Sequence, residues 1–489
     1  MSRIGHASGS LCLPRKSASS GRHISSLVLC WLVACSIVLC PSIGSAQQRK
    51  SLGDRAYKDG VLQKIASLLE SKYVLSDKAK RFADEFKAKC ASGAYGSYTE
   101  AKEFAGKITG DLVEITHDKH LNFRVIEPSD VGEKAESPLH HPVRYFRLRN
   151  KENTGFYKLE WIEPNIGYVD IRRFNSFGEA KDMVVAAMKF LSGAEAIIID
   201  VRENGGGSGD YLSSYFLPYP TQLSSWYSRE DGSLTEFWTF KDIGTEPRTD
   251  VPLFILTGPR TFSAAESFAY DMKSRKRAVL VGEPTKGGAH SVDLFGIDEQ
   301  FEFYLSTSRA ISPVTGGNWE GVGVVPDMLV PSAAALDTAL EEAKKAGRKF
   351  GQAKEARLKN AVDEMQIHWD SAEKSYRENR KESAAAALDS LFRIAEKAGL
   401  ISEFFIDVFA YDFQSAQDEQ MLFAILEKEI EFFPNSPSAY ERLASVHYSK
   451  GHKELALRYF RKVLELDPDN RNAAKMIKEL QNRQGGRAG

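Results

Sequence analysis

Through residues 47–118 the apolar positions return every three or four residues. In GVLQKIASLLESKYV, and in TEAKEFAGKITGDLVEIT with Phe104, Ile108, Leu112 and Ile115, that spacing predicts amphipathic helices. The pattern then changes. HLNFRVI at 120–126 and the stretch 155–172 read as strands. From 167 onward the order is strand (GYVDIRR), helix over 180–192, strand over 195–201, a glycine turn and a helix, strand over 251–257, helix over 263–274 and strand over 278–282. Strands alternating with helices predict a largely parallel sheet covered by helices. Short runs near 291–295 and 300–308 add antiparallel strands. After Pro331 the chain is rich in Ala, Glu, Lys and Leu, with helical periodicity to the end.

Within that last region, PSAYERLASVHYSKGHKELALRYFRKVLELDP sets Tyr440, Leu443, Ala444, Gly451, Ala456, Phe460 and Pro468 at the spacings of a tetratricopeptide repeat. The stretch ending at Pro434 resembles a degenerate copy, and residues 471–482 fit a capping helix.

A chain of 489 residues exceeds one ordinary domain, and 42% hydrophobic residues suffice for a buried core. With 65 basic against 66 acidic residues there is no electrostatic footprint for nucleic acid or an anionic membrane surface. The N-terminus reads as a leader. Arg15, Lys16, Arg22 and His23 flank a mostly apolar run from Ile24 to Ile43, and Gly44-Ser45-Ala46 follows. This pattern predicts a secretory signal peptide over 1–46 and an exported, periplasmic or extracellular protein. A retained membrane anchor is the other reading of the run. Leu32-Val33-Ala34-Cys35 also resembles a lipoprotein processing site, with anchoring at Cys35 as an alternative. Four of the five cysteines lie in the leader, so Cys90 alone remains beyond it and no internal disulfide can form. KAKCASG gives Cys90 no catalytic context.

Chemistry concentrates at Ser263, in VPLFILTGPRTFSAAESFAYDMKSR, where a strand turns into a helix. Ser-Ala-Ala-Glu is also a capping box, which by itself only starts a helix. A helix N-terminus, however, offers free N–H groups and the positive end of its dipole to a developing oxyanion. The amide of Ala264 is one such donor. Gly205, Gly206 and Gly207, which end the strand AIIIDVRENGGG, are candidates for another, because glycine lets backbone approach a substrate closely. A serine nucleophile needs a base, and His120, Lys286 and His290 are candidates that the residues alone do not rank.

Together TFSAAE, IIIDVRENGGG, VGEPTKGG and WEGVGVVPD resemble the tail-specific, or C-terminal processing, serine peptidase family, which includes the tricorn core protease and the repeats of interphotoreceptor retinoid-binding protein. The resemblance spans about residues 55–335. It implies an α/β, crotonase-like core, a spiral of ββα units. It also implies Ser263 as nucleophile, with Ala264 and the 205–207 glycines at the oxyanion. In the serine–lysine branch a lysine stands where this chain has Gly288, and Lys286 is displaced by two residues. The tricorn-like branch draws a histidine from a motif matched by DKHL, at His120, and an acid matched by Glu320. That branch has a serine before the histidine; here it is Lys119, so the relay that orients His120 must differ. Asp118 is a rival orienter, and Asp200, Arg202 and Glu266 read as structural supports.

The expected organisation is a signal peptide over 1–46, a helical N-terminal segment over 47–130, a serine peptidase core over 131–335 and an all-α tetratricopeptide-like domain over 336–489. The expected function is that of an exported serine endopeptidase. Ser263 forms an acyl-enzyme, His120 acts as general base and Glu320 polarises it. Lys286 is the alternative base, and neither metal nor cofactor is required. Peptide or protein substrates follow, with a protein partner for the repeat region. Only about 45 residues separate His120 from the strand at Gly167, too few for a PDZ module. The alternatives are a decayed peptidase fold that binds peptides or apolar ligands, and a scaffold acting through its repeats.

Overall fold

The computed structural model describes residues 51–126, 152–163, 165–416 and 419–485. The expected leader over 1–46, with Cys35, and the stretch 127–151 lie outside the described residues. Among the described residues no helix is long and apolar enough to cross a membrane.

Three helices open this part of the chain: α1 (Arg55–Lys72), α2 (Ser76–Ala91) and α3 (Ala101–Thr116). Asp54 caps α1 by accepting from the N–H of Ala56 at 2.9 Å. The periodic positions do what their spacing predicts. Ile65, Leu69, Phe82, Phe86, Phe104, Ile108 and Leu112 share one core. Phe123, Phe301, Phe303 and Leu305 complete it from strands, so part of this N-terminal core comes from residues nearly 200 positions away. Cys90 sits half-buried beside it, and burial pushes its thiol up to about 11, away from nucleophilic use.

The strands and their connecting helices follow in order: β1 (Asn122–Val125), β2 (Phe156–Glu163), β3 (Ile166–Ile171), α4 (Phe177–Phe190), β4 (Ala196–Asp200), β5 (Gln222–Ser228), β6 (Leu234–Trp238), β7 (Leu253–Thr257), α5 (Ala264–Ser274), β8 (Val279–Gly282), β9 (His290–Gly296), β10 (Phe301–Ile311) and β11 (Met328–Leu329). One sheet runs β11-β8-β7-β4-β3-β2, parallel except for the antiparallel β2–β3 edge. Its central strands, AIIID and LFILT, are buried throughout, as unbroken apolar runs in a covered parallel sheet should be. The second sheet is antiparallel: β10 pairs with β1, β5 and β9, and β5 pairs with β6.

The β5–β6 hairpin is where the sequence reading fails. It placed a helix after the glycine turn and no strand between that helix and 251. The structure has a single helical turn, Asp210–Ser213, and then the hairpin. All five β6 residues are exposed and β5 is rich in serine, so neither strand carries a hydrophobic alternation to read.

Both faces of the parallel sheet are covered. On one, Val184 and Ala187 of α4 and Phe268 and Met272 of α5 pack against Val169, Ile197, Ile199 and Ile255. On the other lies the start of α6 (Ala335–Arg377), whose Ala335, Ala339 and Ala343 meet Tyr168, Ile198, Phe254 and Leu256. Small side chains every fourth residue let this helix lie close. At Gly351 an added Cβ would come within 2.4 Å of the Glu195 carboxylate. A boundary at 335/336 therefore cuts at the first residue of a helix whose opening turns complete the core.

The remaining helices are α7 (Lys381–Lys397), α8 (Glu403–Ala416), α9 (Glu419–Phe432), α10 (Pro437–Ser449), α11 (Lys453–Leu466) and α12 (Arg471–Gly485). The repeat lies on α10 and α11, with Leu443, Ala444, Ala456 and Phe460 fully buried and Gly451 turning the chain at φ 79°. The α8–α9 pair occupies the place of the degenerate copy, and α12 packs on the repeat through Ala473 and Leu480. The expected α/β core with helical segments at both ends is what the chain forms.

Candidate active site

Ser263 heads α5 with φ 56° and ψ −121°. A non-glycine residue there costs on the order of 1–3 kcal/mol, so the surroundings must hold it. Its N–H donates to Glu266 at 2.9 Å. Glu266 is fully buried and also accepts from the Thr285 hydroxyl at 2.5 Å and from the N–H groups of Gly287 and Gly288 at 2.6 and 2.8 Å. One carboxylate thus ties the helix start to the 285–288 turn. Burial raises its pKa, and the four donors work against that rise. Glu266 is the structural support expected. So is Asp200, held by the Arg202 guanidinium and the Tyr168 hydroxyl.

Against Ser263 lies the glycine loop. Gly206 and Gly207 have φ 103° and 125°. A Cβ on Gly206 would fall 2.7 Å from the Cβ of Ser263, and one on Gly207 would fall 1.8 Å from the carbonyl oxygen of Phe174. Only glycine fits either position. Gly206, expected as an oxyanion donor, gives its N–H to the side chain of Asn204 at 2.8 Å. Among the described residues, no hydrogen bond uses the N–H of Gly207 or of Ala264. These two amides are the free donors beside the serine.

Asp118 and His120 reach the site because α3 stops before them. His117 takes a left-handed conformation, φ 59°, and redirects the chain. Thr116 then accepts from the N–H of Asp118 at 3.1 Å, and Asp118 accepts from the N–H of His120 at 2.9 Å. The His120 ring packs on Phe262, the residue before Ser263, with centroids 4.4 Å apart. Neither of its ring nitrogens has a hydrogen-bond partner. The Ser263 hydroxyl is therefore not bonded to it here. The nearest Asp118 oxygen, 3.8 Å from His120 Nδ1, is beyond hydrogen-bond length. Burial lowers the imidazole pKa to about 4, leaving it neutral near pH 7.

Glu320 does not contact His120 by a hydrogen bond. Its Oε2 accepts from the N–H groups of Ala289 and His290 at 2.5 and 3.1 Å, and its Oε1 is buried without a partner. Burial, with the negative charge of Asp118 nearby, pushes its pKa up to about 7. His290, one of the three candidate bases, has the oriented geometry that His120 lacks. Its Nδ1 lies 2.8 Å from Asp118 Oδ2, which also accepts from the Tyr73 hydroxyl at 3.1 Å. An ionised carboxylate only accepts, so this contact places the proton on Nδ1 and leaves Nε2 basic. Burial alone would raise the Asp118 pKa; the bond and charge of His290 hold it below the usual range.

Ser263, Ala264, Gly207, His120 and His290 all line one cavity of about 460 Å³. Trp226, Thr235 and Phe237 of the β5–β6 hairpin form another wall. Lys286 is not among its lining residues; its Nζ lies 4.4 Å from the centre of the Phe262 ring. Lys119, in the position of the branch's bridging serine, donates instead to the carbonyl of Lys286. The hairpin wall was missed in the sequence, and an alternating pattern strong enough to reveal it is absent.

Three family models match segments of this chain. The model of peptidase family S41 matches residues 165–330, and that of the N-terminal domain of peptidase S41 in eukaryotic IRBP matches residues 53–154. A tetratricopeptide repeat model matches residues 437–470. Carboxyl-terminal-processing peptidase 2 of Arabidopsis thaliana, a chloroplastic protein, is 28% identical over 36% of this chain and 33% of its own length. The carboxyl-terminal-processing protease of a Picosynechococcus strain is 27% identical over 34% of this chain and 39% of its own. The chain thus spans between a third and two fifths of these relatives. The solved photosystem II D1 C-terminal processing protease aligns with a TM-score of 0.36 at 15% identity, over 56% of this chain and 92% of that one. Two models of one family match successive segments, and the serine-headed helix and its glycine loop lie in the second of them; the chain belongs to peptidase family S41 and carries a tetratricopeptide repeat toward its C-terminal end.

Proposed function

We propose that this protein is an exported serine endopeptidase whose acyl-enzyme forms on Ser263. The observation that carries the reading is the strained serine at the mouth of α5, with two unused amides, Gly207 and Ala264, beside it. Hydrolysis needs a nucleophile, a base and donors aimed at the developing oxyanion. Ser263 Oγ attacks the peptide carbonyl. His120, neutral because it is buried, takes the proton and returns it to the leaving amine. The serine–histidine bond closes when substrate enters the cavity, as such bonds often do only on binding. Glu320 and Asp118 set the charge around the imidazole. The repeat region holds a protein partner or substrate on its stacked helices.

A second reading is favoured by one contact. The 2.8 Å bond that His290 Nδ1 donates to Asp118 is the acid–histidine pairing of a serine triad, which supports His290 as the base with His120 as a neighbour.

Labelling with a fluorophosphonate probe tests the core of the proposal. Wild-type protein should label and hydrolyse an unstructured peptide, and Ser263→Ala should do neither while keeping its Tm. Peptide hydrolysis by Ser263→Ala at the wild-type rate would refute it.

A further inference from the structure

We infer that Asp118, His120 and Glu320 form a binding site for a divalent transition-metal ion of the zinc type, and that the bound ion switches the peptidase off. The inhibitory part rests on the peptidase reading above; the binding part does not.

One donor atom from each of the three residues lies within 4.8 Å of the others. The residues come from two separate segments, the turn after α3 and the loop that precedes β11, so the convergence is made by the fold. A second observation points to a ligand. The His120 side chain is 10% exposed, yet both ring nitrogens lack a partner, and Glu320 Oε1 is likewise buried and unpartnered. Buried polar atoms normally find partners, and leaving them bare carries a desolvation cost. Two carboxyl groups face the imidazole, and His290 stands beside both, its Nδ1 2.8 Å from Asp118 and 3.7 Å from Glu320. Asp118 retains acceptor capacity beyond the His120 N–H, because each carboxylate oxygen takes two bonds.

The donor chemistry selects the ion. One imidazole and two carboxylates suit zinc or its transition-metal neighbours, whereas magnesium and calcium prefer all-oxygen sets. Bond lengths near 2.0–2.2 Å require donors roughly 3.4 Å apart in a tetrahedron. Asp118 Oδ1 and His120 Nδ1 stand 3.8 Å apart. Oε1 of Glu320 has no hydrogen bond of its own to lose on taking an ion. Three protein ligands leave a fourth position for water. A neutral imidazole has one free lone pair; a metal that takes it at Nδ1 leaves the proton on Nε2, so occupancy and general base catalysis by His120 exclude each other.

The test uses the full chain carrying Ser263→Ala, which keeps all three ligands. Zinc binding is followed by calorimetry, and cobalt(II) is substituted to read the visible bands of a tetrahedral site. We expect one more equivalent bound than in the same protein carrying Glu320→Gln, whose affinity at this site should fall by about tenfold or more. Asp118→Asn serves as the second ligand variant where circular dichroism shows Glu320→Gln to be unfolded. In the wild type, zinc should inhibit peptide hydrolysis over the same concentration range, with reversal by a chelator. Equal zinc binding in parent and ligand variants, or no tetrahedral cobalt spectrum, overturns the site. Binding without inhibition, or activation by zinc, overturns the switch. A protein that binds zinc as described but never hydrolyses peptide refutes the peptidase reading and leaves the metal site standing.

Discussion

A Cβ on Gly288 would lie 2.5 Å from Cε1 of His120 and 2.2 Å from Cε2 of Phe262. The imidazole therefore occupies the space that any side chain at 288 would need. In the serine–lysine branch of the resembling family a lysine stands at this position. Here a lysine at 288 and the imidazole in its present place are sterically exclusive.

Gly288→Ala should accordingly push His120 and Phe262 out of register with Ser263. Forcing an extra methyl into such a contact typically costs about 1–3 kcal/mol. Loss of activity should exceed what that destabilisation explains, at roughly 10²-fold or more in kcat, the scale of a lost general base. Peptide kinetics together with a denaturation midpoint measure both quantities. Wild-type kinetics in Gly288→Ala would show that the ring need not sit where it does.

Substitution of the three candidate bases should separate them. His120→Ala is expected to lower kcat by about 10²–10⁴-fold, and Lys286→Ala to change it little, since Lys286 does not line the cavity. His290→Ala breaks the contact to Asp118 and should destabilise the site as well as slow it. A larger kcat loss in His290→Ala than in His120→Ala, at equal stability, would transfer the base role to His290.

The pH dependence of stability offers a check that needs no substrate. His120 is depressed in the folded protein, from 6.5 to about 4, so its contribution is complete above pH 6.5 and is lost as pH falls toward 4. Glu320 is raised, from 4.5 to about 7, so its contribution is complete below pH 4.5 and is lost as pH rises toward 7. The two oppose each other between pH 4.5 and 6.5. Removing one should unmask the other. Glu320→Gln should lose stability on going from pH 6.5 to pH 5, relative to wild type, and His120→Asn should gain it. Urea titrations of both variants at these two pH values measure the slopes, and parallel behaviour of all three proteins would contradict the assigned environments.

Truncation should fail or succeed according to α6 rather than to composition. Ending the chain at residue 335 strips Ala339 and Ala343 from the sheet and exposes Tyr168, Phe254 and Leu256. Ending it near residue 352 keeps those turns. The longer piece is expected to fold and to hydrolyse a small peptide, and the shorter to aggregate or show a much lower Tm. Circular dichroism and activity on the same samples decide. A stable, active 47–335 fragment would mean that the helix is dispensable cover.

Local patterns carried much of the architecture. Period-3.6 spacing fixed α1 to α3, because Phe104, Ile108 and Leu112 must share a face to be buried. The unbroken runs at Ile197–Ile199 and Leu253–Leu256 marked central parallel strands for the same reason. The repeat was legible because its small and large residues recur at set offsets. The TFSAAE and glycine motifs located a serine at a helix mouth, since caps and turns are chemistry between near neighbours.

What the chain did not disclose lies between residues far apart. That Gly206 spends its N–H on Asn204 while Gly207 does not depends on how one loop bends. That His290 meets Asp118 across 172 positions, while the His120 ring stands without a hydrogen bond beside it, depends on how β9 and the end of α3 are docked. The β5–β6 hairpin is held by backbone pairing to β10, which imposes no hydrophobic period on solvent-facing residues. Sequence determines which side chains want to be buried and where the backbone can turn; which nitrogen faces which oxygen is decided only when the packed elements set distances to within an ångström.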